Sequence, residues 1–156
     1  MRPLISDLIR KLGGDKDRCL VTVFFFNFYL KNKMMYTESF MKLLRMPKTN
    51  LETLFNDYCN YSNLSRVSLT GKAEKEKWPI IAKTIKRNII IFSKSKEILF
   101  YKRVSNENHP ILLRFSDDIY HILFDIKQVS TQSKSFCPFC IKWTKNINIL
   151  SHQCLR

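Results

Sequence analysis

Apolar residues recur at intervals of three and four through the first sixty or so positions, then gather into short continuous runs between residues 88 and 126. That change of period predicts helices first and strands second. Leu4, Ile5, Leu8, Ile9 and Leu12 share one helical face, and Gly13-Gly14 ends that helix. Residues 20–30 are apolar almost all round, which fits a central buried helix, although a run of phenylalanines also fits a strand. Tyr36–Arg45 places Phe40, Leu43 and Leu44 on one side, with Pro47 as a stop. Thr49-Asn50-Leu51-Glu52 has the form of a capping box opening a helix over Leu51–Tyr61, whose stripe is Leu51, Leu54, Phe55 and Tyr58.

A polar loop, Ser62–Thr70, separates this from a last helix that carries Trp78, Ile81, Ala82 and Ile85. Proline is tolerated in a first turn, so that helix is expected to begin near Pro79. Four strands follow: Asn88–Ser93, Glu97–Val104, Ile111–Phe115 and Ile119–Ile126, the last two joined at Ser116-Asp117-Asp118. The expected fold is α+β, a helical N-terminal half packed on an antiparallel sheet over residues 1–130, with a small C-terminal unit over 131–156.

Charge adds a partner. The 156 residues carry 27 Lys and Arg against 13 Asp and Glu, a formal net charge of +14. Most of the excess falls after residue 76, through 72–87, 94–103 and 127–145. Such an imbalance suits an anionic partner, most simply DNA or RNA, with an acidic lipid surface or a merely solvated basic face as the alternatives. Lys102, Arg103, Lys142 and Lys145 are the candidate phosphate contacts, and Tyr101 and Trp143 the candidate stacking rings. No apolar stretch approaches the ~20 residues that cross a bilayer, and no secretory leader is visible, so an intracellular setting without a membrane is expected.

Five cysteines, three of them in the last 20 residues, favour metal binding in a reducing compartment over a disulfide frame. The tail reads Cys137-x2-Cys140-x11-His152-x-Cys154. A Cys-x2-Cys knuckle aims two thiolates at one ion, and a later His/Cys pair completes a tetrahedron for Zn2+. The single-residue spacing of His152 and Cys154 is shorter than usual, so one of the two has a water or another side chain as an alternative.

A second candidate site lies upstream. Asp17 is placed to cap the long apolar helix, which puts Cys19 in its first turn, where unpaired N–H groups and the helix dipole favour a thiolate. Inert packing is the ordinary alternative for so apolar a setting. His121, with Asp125 on the same run, sits in a hydrophobic strand.

The order Asp-x-Cys, apolar helix, strands, then a histidine in the last strand is similar to that of papain-like thiol hydrolases. GGDKDRCLVTVFFF resembles the start of OTU cysteine proteases, and WPIIAKTIKRNIIIFSKS with PILLRFSDDIYHILFDI resembles their closing helix and strands. Asp15 to Cys154 also resembles, in outline, the region N-terminal to protein-primed family B DNA polymerases of Polinton-type mobile elements and related viruses. The motifs that carry this likeness are DKDRCL, RNIIIFSKSKEILFY, HPILLRFSDDIYHILFDIKQ and FCPFCIKW followed by HQC. The likeness implies a cysteine-protease-like fold with Cys19 as nucleophile, His121 as base and Asp125 or Asp17 orienting the imidazole. It departs at Tyr120-His121, where the family has His-Tyr, which would turn the histidine to the other face of its strand. Two functions follow: a nucleic-acid-associated zinc-finger accessory module derived from a mobile-element or viral replication protein, with a polymerase or ubiquitin as a protein partner, or a cysteine protease or deubiquitinase.

Overall fold

The computed structural model describes residues 5–67, 73–104, 109–123, 134–137 and 142–145. Five helices come first: α1 (Ile5–Lys11), α2 (Arg18–Asn32), α3 (Tyr36–Arg45), α4 (Lys48–Tyr61) and α5 (Glu74–Ile85). Six strands follow: β1 (Ile89–Phe92), β2 (Ile98–Lys102), β3 (Ile111–Ser116), β4 (Ile119–Leu123), β5 (Lys134–Cys137) and β6 (Lys142–Lys145). The α+β expectation is met, and α2 is the central helix, buried along most of its length from Cys19 to Phe28. Gly13 and Gly14 end α1 with φ of 109° and 86°, a conformation that costs glycine nothing, and the Gly14 N–H donates to Ile9 at 2.8 Å.

The main sheet runs β2-β1-β3-β4. It is mixed rather than antiparallel throughout, because β3 returns beside β1 in parallel register, Ile89 against Ile111 and Leu113 against Ile91. Asn88 shapes that crossover from a fully buried position: its side-chain oxygen accepts from Val104 at 2.7 Å and its backbone carbonyl accepts from Ile111 at 2.8 Å. The β3–β4 hairpin closes on Asp117 and Asp118, both at positive φ (53° and 59°), the pairing a two-residue type I′ turn needs.

Two helix starts differ from expectation. The capping box at Thr49 does not form: α4 begins at Lys48 after Pro47, which offers no side-chain cap, and Thr49 lies inside the first turn. Helix α5 begins five residues ahead of Pro79 and carries the proline inside it. Tertiary contacts outweigh the lost backbone bond there, since Glu74 is tied to Arg18 and Tyr120 while Trp78 is buried.

Alternation divides the sheet's two faces. Ile89, Ile91, Ile111, Leu113, Tyr120 and Ile122 join the main core with all five helices. Ile90, Phe92, Leu112 and Leu123 face the other way and meet Phe136 of β5 in a smaller core, the Phe92 and Phe136 rings crossing edge-to-face at 5.2 Å. Strands β5 and β6 form a separate antiparallel hairpin that sets Cys137 opposite Lys142 and Phe136 opposite Trp143.

Candidate functional site

The start of α2 is where the sequence concentrates chemistry. Asp17, in extended conformation (φ −64°, ψ 122°), caps the helix as expected, accepting from the Cys19 N–H at 2.9 Å and the Leu20 N–H at 3.3 Å. Its other oxygen takes the Lys77 ammonium from α5, and both side chains are largely buried, 8% and 13% exposed. The ion pair holds the Lys77 pKa above its ordinary value. Arg18 reaches the Glu74 carboxylate, donates to the Asp118 carbonyl at 2.8 Å, and lies over the rings of Phe115 and Tyr120. Glu74 accepts from the Tyr120 hydroxyl at 2.8 Å, and that hydroxyl accepts from the Trp78 indole N–H at 3.1 Å. Helices α2 and α5 and the β3–β4 hairpin are therefore joined by one connected polar cluster.

Cys19 lies at this cluster but is fully buried. Burial raises its thiol pKa, and the carboxylates of Asp17 and Glu74 raise it further, against smaller opposing effects of Lys77 and Arg18. The expectation that the helix start would favour a thiolate is thus corrected. Asp17 occupies the N–H groups that would have stabilised the anion, and desolvation outweighs the dipole. His121 does not come to Cys19. Tyr120 occupies the helix-facing position of β4, so His121 projects from the opposite face, across from Arg114 on β3. Asp125 lies outside the described residues. Of the three described residues expected to take part in a catalytic group, Asp17 and Cys19 are brought together and His121 is not.

Of the proposed zinc ligands, Cys137 ends β5 in a buried position, while Cys140, His152 and Cys154 fall outside the described residues. Cys137 pairs with Lys142 across the β5–β6 ladder. No group of three or more His, Cys, Asp or Glu able to hold a metal occurs among the described residues.

Lys102 lies on the helix side of β2, half-buried, whereas Arg103 follows the end of the strand and is exposed. Lys142 and Lys145 begin and end β6. Tyr101 is 57% exposed on the face of the sheet away from the helices. The cluster partners Glu74 and Lys77 escape a reading of the sequence for sites because they sit in a stretch that resembles solvated charge. Their spacing of three, which puts both on one side of α5, is the signal that could have found them.

A cavity of about 640 Å³ opens beside the cluster, lined among others by Lys16, Asp17, Asn56, Cys59, Asn60 and Lys77. No described helix is long and apolar enough to cross a membrane. Comparison with protein-family models, with curated proteins and with solved structures finds no match to this chain.

Proposed function

We propose that this chain is a non-catalytic, nucleic-acid-associated module: a degenerate thiol-hydrolase-like body that carries a zinc-holding C-terminal hairpin. The observation that carries the reading is the face of the main sheet turned away from the helices. Tyr101, Arg114 and His121 lie on it around apolar Ile90, Phe92, Leu112 and Leu123, exposed Arg103 follows the end of β2, and none of the face's described positions is acidic. Cationic groups with an exposed ring on a rigid sheet suit phosphates and unstacked bases, and the net charge of +14 has the matching sign. Zn2+ would fix the tail through Cys137 and Cys140 with His152 or Cys154 and bring Lys142 and Lys145 into the same basic region. Descent from a replication protein of a mobile element or virus accounts for the order of the motifs.

Support for the non-catalytic form comes from Cys19. Its thiol is buried, its pKa is raised, and a tyrosine engaged with Glu74 and Trp78 takes the helix-facing position that a general base would need.

The test is fluorescence anisotropy with single-stranded and duplex oligonucleotides of several sequences across a salt series. Binding indifferent to sequence is expected, with a log–log salt slope equivalent to roughly four or more neutralised phosphates. Reversing Arg103, Lys142 and Lys145 to Glu should flatten that slope by about one unit for each phosphate that is no longer neutralised. Absence of binding at low salt, or an unchanged slope in the reversed variant, defeats the reading.

A further inference from the structure

Methionine is distributed unevenly. Four of the chain's five methionines, Met34, Met35, Met41 and Met46, fall within thirteen residues at the α2–α3 corner. None is fully buried, although Met46 packs against the main core, and Met35 is 72% exposed. Helix α3 turns Ser39, Phe40 and Leu43 inward, which leaves Met41 on its outer side with Thr37, Glu38 and Arg45. Two cavities adjoin there, of about 590 Å³ and 540 Å³, and they share Met34, Thr37 and Glu38 in their walls. Met41 and Met46 also line the first, Met35 and Tyr36 the second, and both are open to solvent. Together they form a two-chambered groove with an apolar floor.

Its rim is basic. Lys31, Lys33, Lys42, Arg45 and Lys48 are exposed along this stretch, against exposed Glu38. Lys48 is drawn towards Glu52, which leaves the cations nearest the groove, Lys33, Lys42 and Arg45, flanking it. Flexible thioether side chains reshape around inserted apolar groups at low cost, and this is how methionine-lined surfaces hold helices.

We propose that this groove docks an acidic amphipathic helix of a partner protein, with one bulky apolar side chain in each chamber and carboxylates paired to the Lys33, Lys42 and Arg45 rim. Anchors three or four residues apart stand on one face of a helix, which suits two adjoining chambers. A phosphate backbone would meet the rim but leave the thioether floor uncovered, and a basic helix would meet like charge. The proposal is independent of the nucleic-acid reading, since the groove lies on the helices and that reading rests on the far face of the sheet.

The experiment uses the full chain and a labelled 18-residue helical peptide with Leu and Phe at i and i+4 and Glu on its flanks. Three competitors are added in turn: the same peptide with Lys for Glu, the Glu peptide with its apolar residues scrambled, and single-stranded DNA. The Glu peptide should bind, weaken with salt, and lose about tenfold in affinity in the K42E/R45E variant, as two reversed rim charges imply. Since Lys42 also touches Phe28 and Asn32, M34Q/M41Q serves as a second variant and should lose affinity with the charges intact. Failure of the Glu peptide to bind, equal competition by the Lys or scrambled peptide, displacement by DNA, or affinity unchanged in both variants would each overturn the proposal.

Discussion

The Tyr120 hydroxyl donates to the Glu74 carboxylate at 2.8 Å while accepting from Trp78 at 3.1 Å, which fastens β4 to the first two turns of α5. The Trp78 and Tyr120 rings meet edge-to-face at 5.2 Å, so the same pair also packs the core. Tyr120→Phe keeps the ring and removes the bridge, leaving the indole N–H buried without its acceptor. We expect a loss of about 1–3 kcal/mol, read as a lower urea midpoint with unchanged slope. An unchanged midpoint would mean that the hydroxyl holds nothing together.

The Asp17–Lys77 pair combines a helix cap with a shielded ion pair, and the two parts are separable. Asp17→Asn keeps an acceptor for the Cys19 and Leu20 N–H groups but leaves the Lys77 charge unmatched; Asp17→Ala removes both. Alanine should cost about 1 kcal/mol more than asparagine, the usual worth of a cap. Lys77→Met in the Asp17→Asn background should recover stability by removing the stranded cation. Equal losses in the two Asp17 variants would contradict the separation.

The polar cluster shows what sequence could and could not convey. The cap at Asp17 and the burial of α2 were legible because both are local: an acceptor ahead of an apolar run, and apolar residues on every side. The positions of the four strands of the main sheet were legible for the same reason, whereas β5 and β6 were not. The parallel pairing of β1 with β3 was not, because β2 and a loop intervene and no short-range pattern records which edge the chain returns to. Nor was the partnership of Lys77 and Glu74 with residues about sixty positions earlier. The order Tyr120-His121 was visible as letters, and strand alternation decides which of the two faces the helices. What no spacing rule conveyed was that burial would override the helix dipole at Cys19.

That override sets how the chain responds to alkali and to alkylation. Burial raises the pKa of Cys19 and Tyr120, pushes Cys59 to about 11, and lifts Tyr58 to about 12 against a smaller opposing bond from Ser62. A raised pKa means that the folded chain keeps protons that the unfolded chain has given up, so this stability is complete below the ordinary pKa values and declines as pH rises through the raised ones. Urea midpoints should be flat between about pH 6 and 8 and fall from about pH 9 upward. Iodoacetamide at about pH 6 should modify native Cys19 no faster than Cys59, and both only after denaturation. Rapid, selective labelling of Cys19 would restore the hydrolase reading.

The proposed metal at the tail can be tested apart from the body. Among the described residues the main core extends in sequence as far as Ile122, and neither Phe136 nor Cys137 of β5 belongs to it. Phe136 belongs to the smaller core on the sheet's far face, next to buried Cys137. If Cys137 holds Zn2+ with Cys140 and one or both of His152 and Cys154, the ion supplies the folding free energy of a unit too small to bury its own core. Purified protein should then contain one zinc per chain by elemental analysis. Cys137→Ser should lower that content and make the chain beyond Phe136 sensitive to protease, while the body keeps its urea transition. Chelation of the unmodified protein should give the same cleavage pattern, because the ligand variant and removal of the ion act on the same unit. Protein that is free of metal yet resists cleavage beyond Phe136 would rule zinc out as what holds the tail.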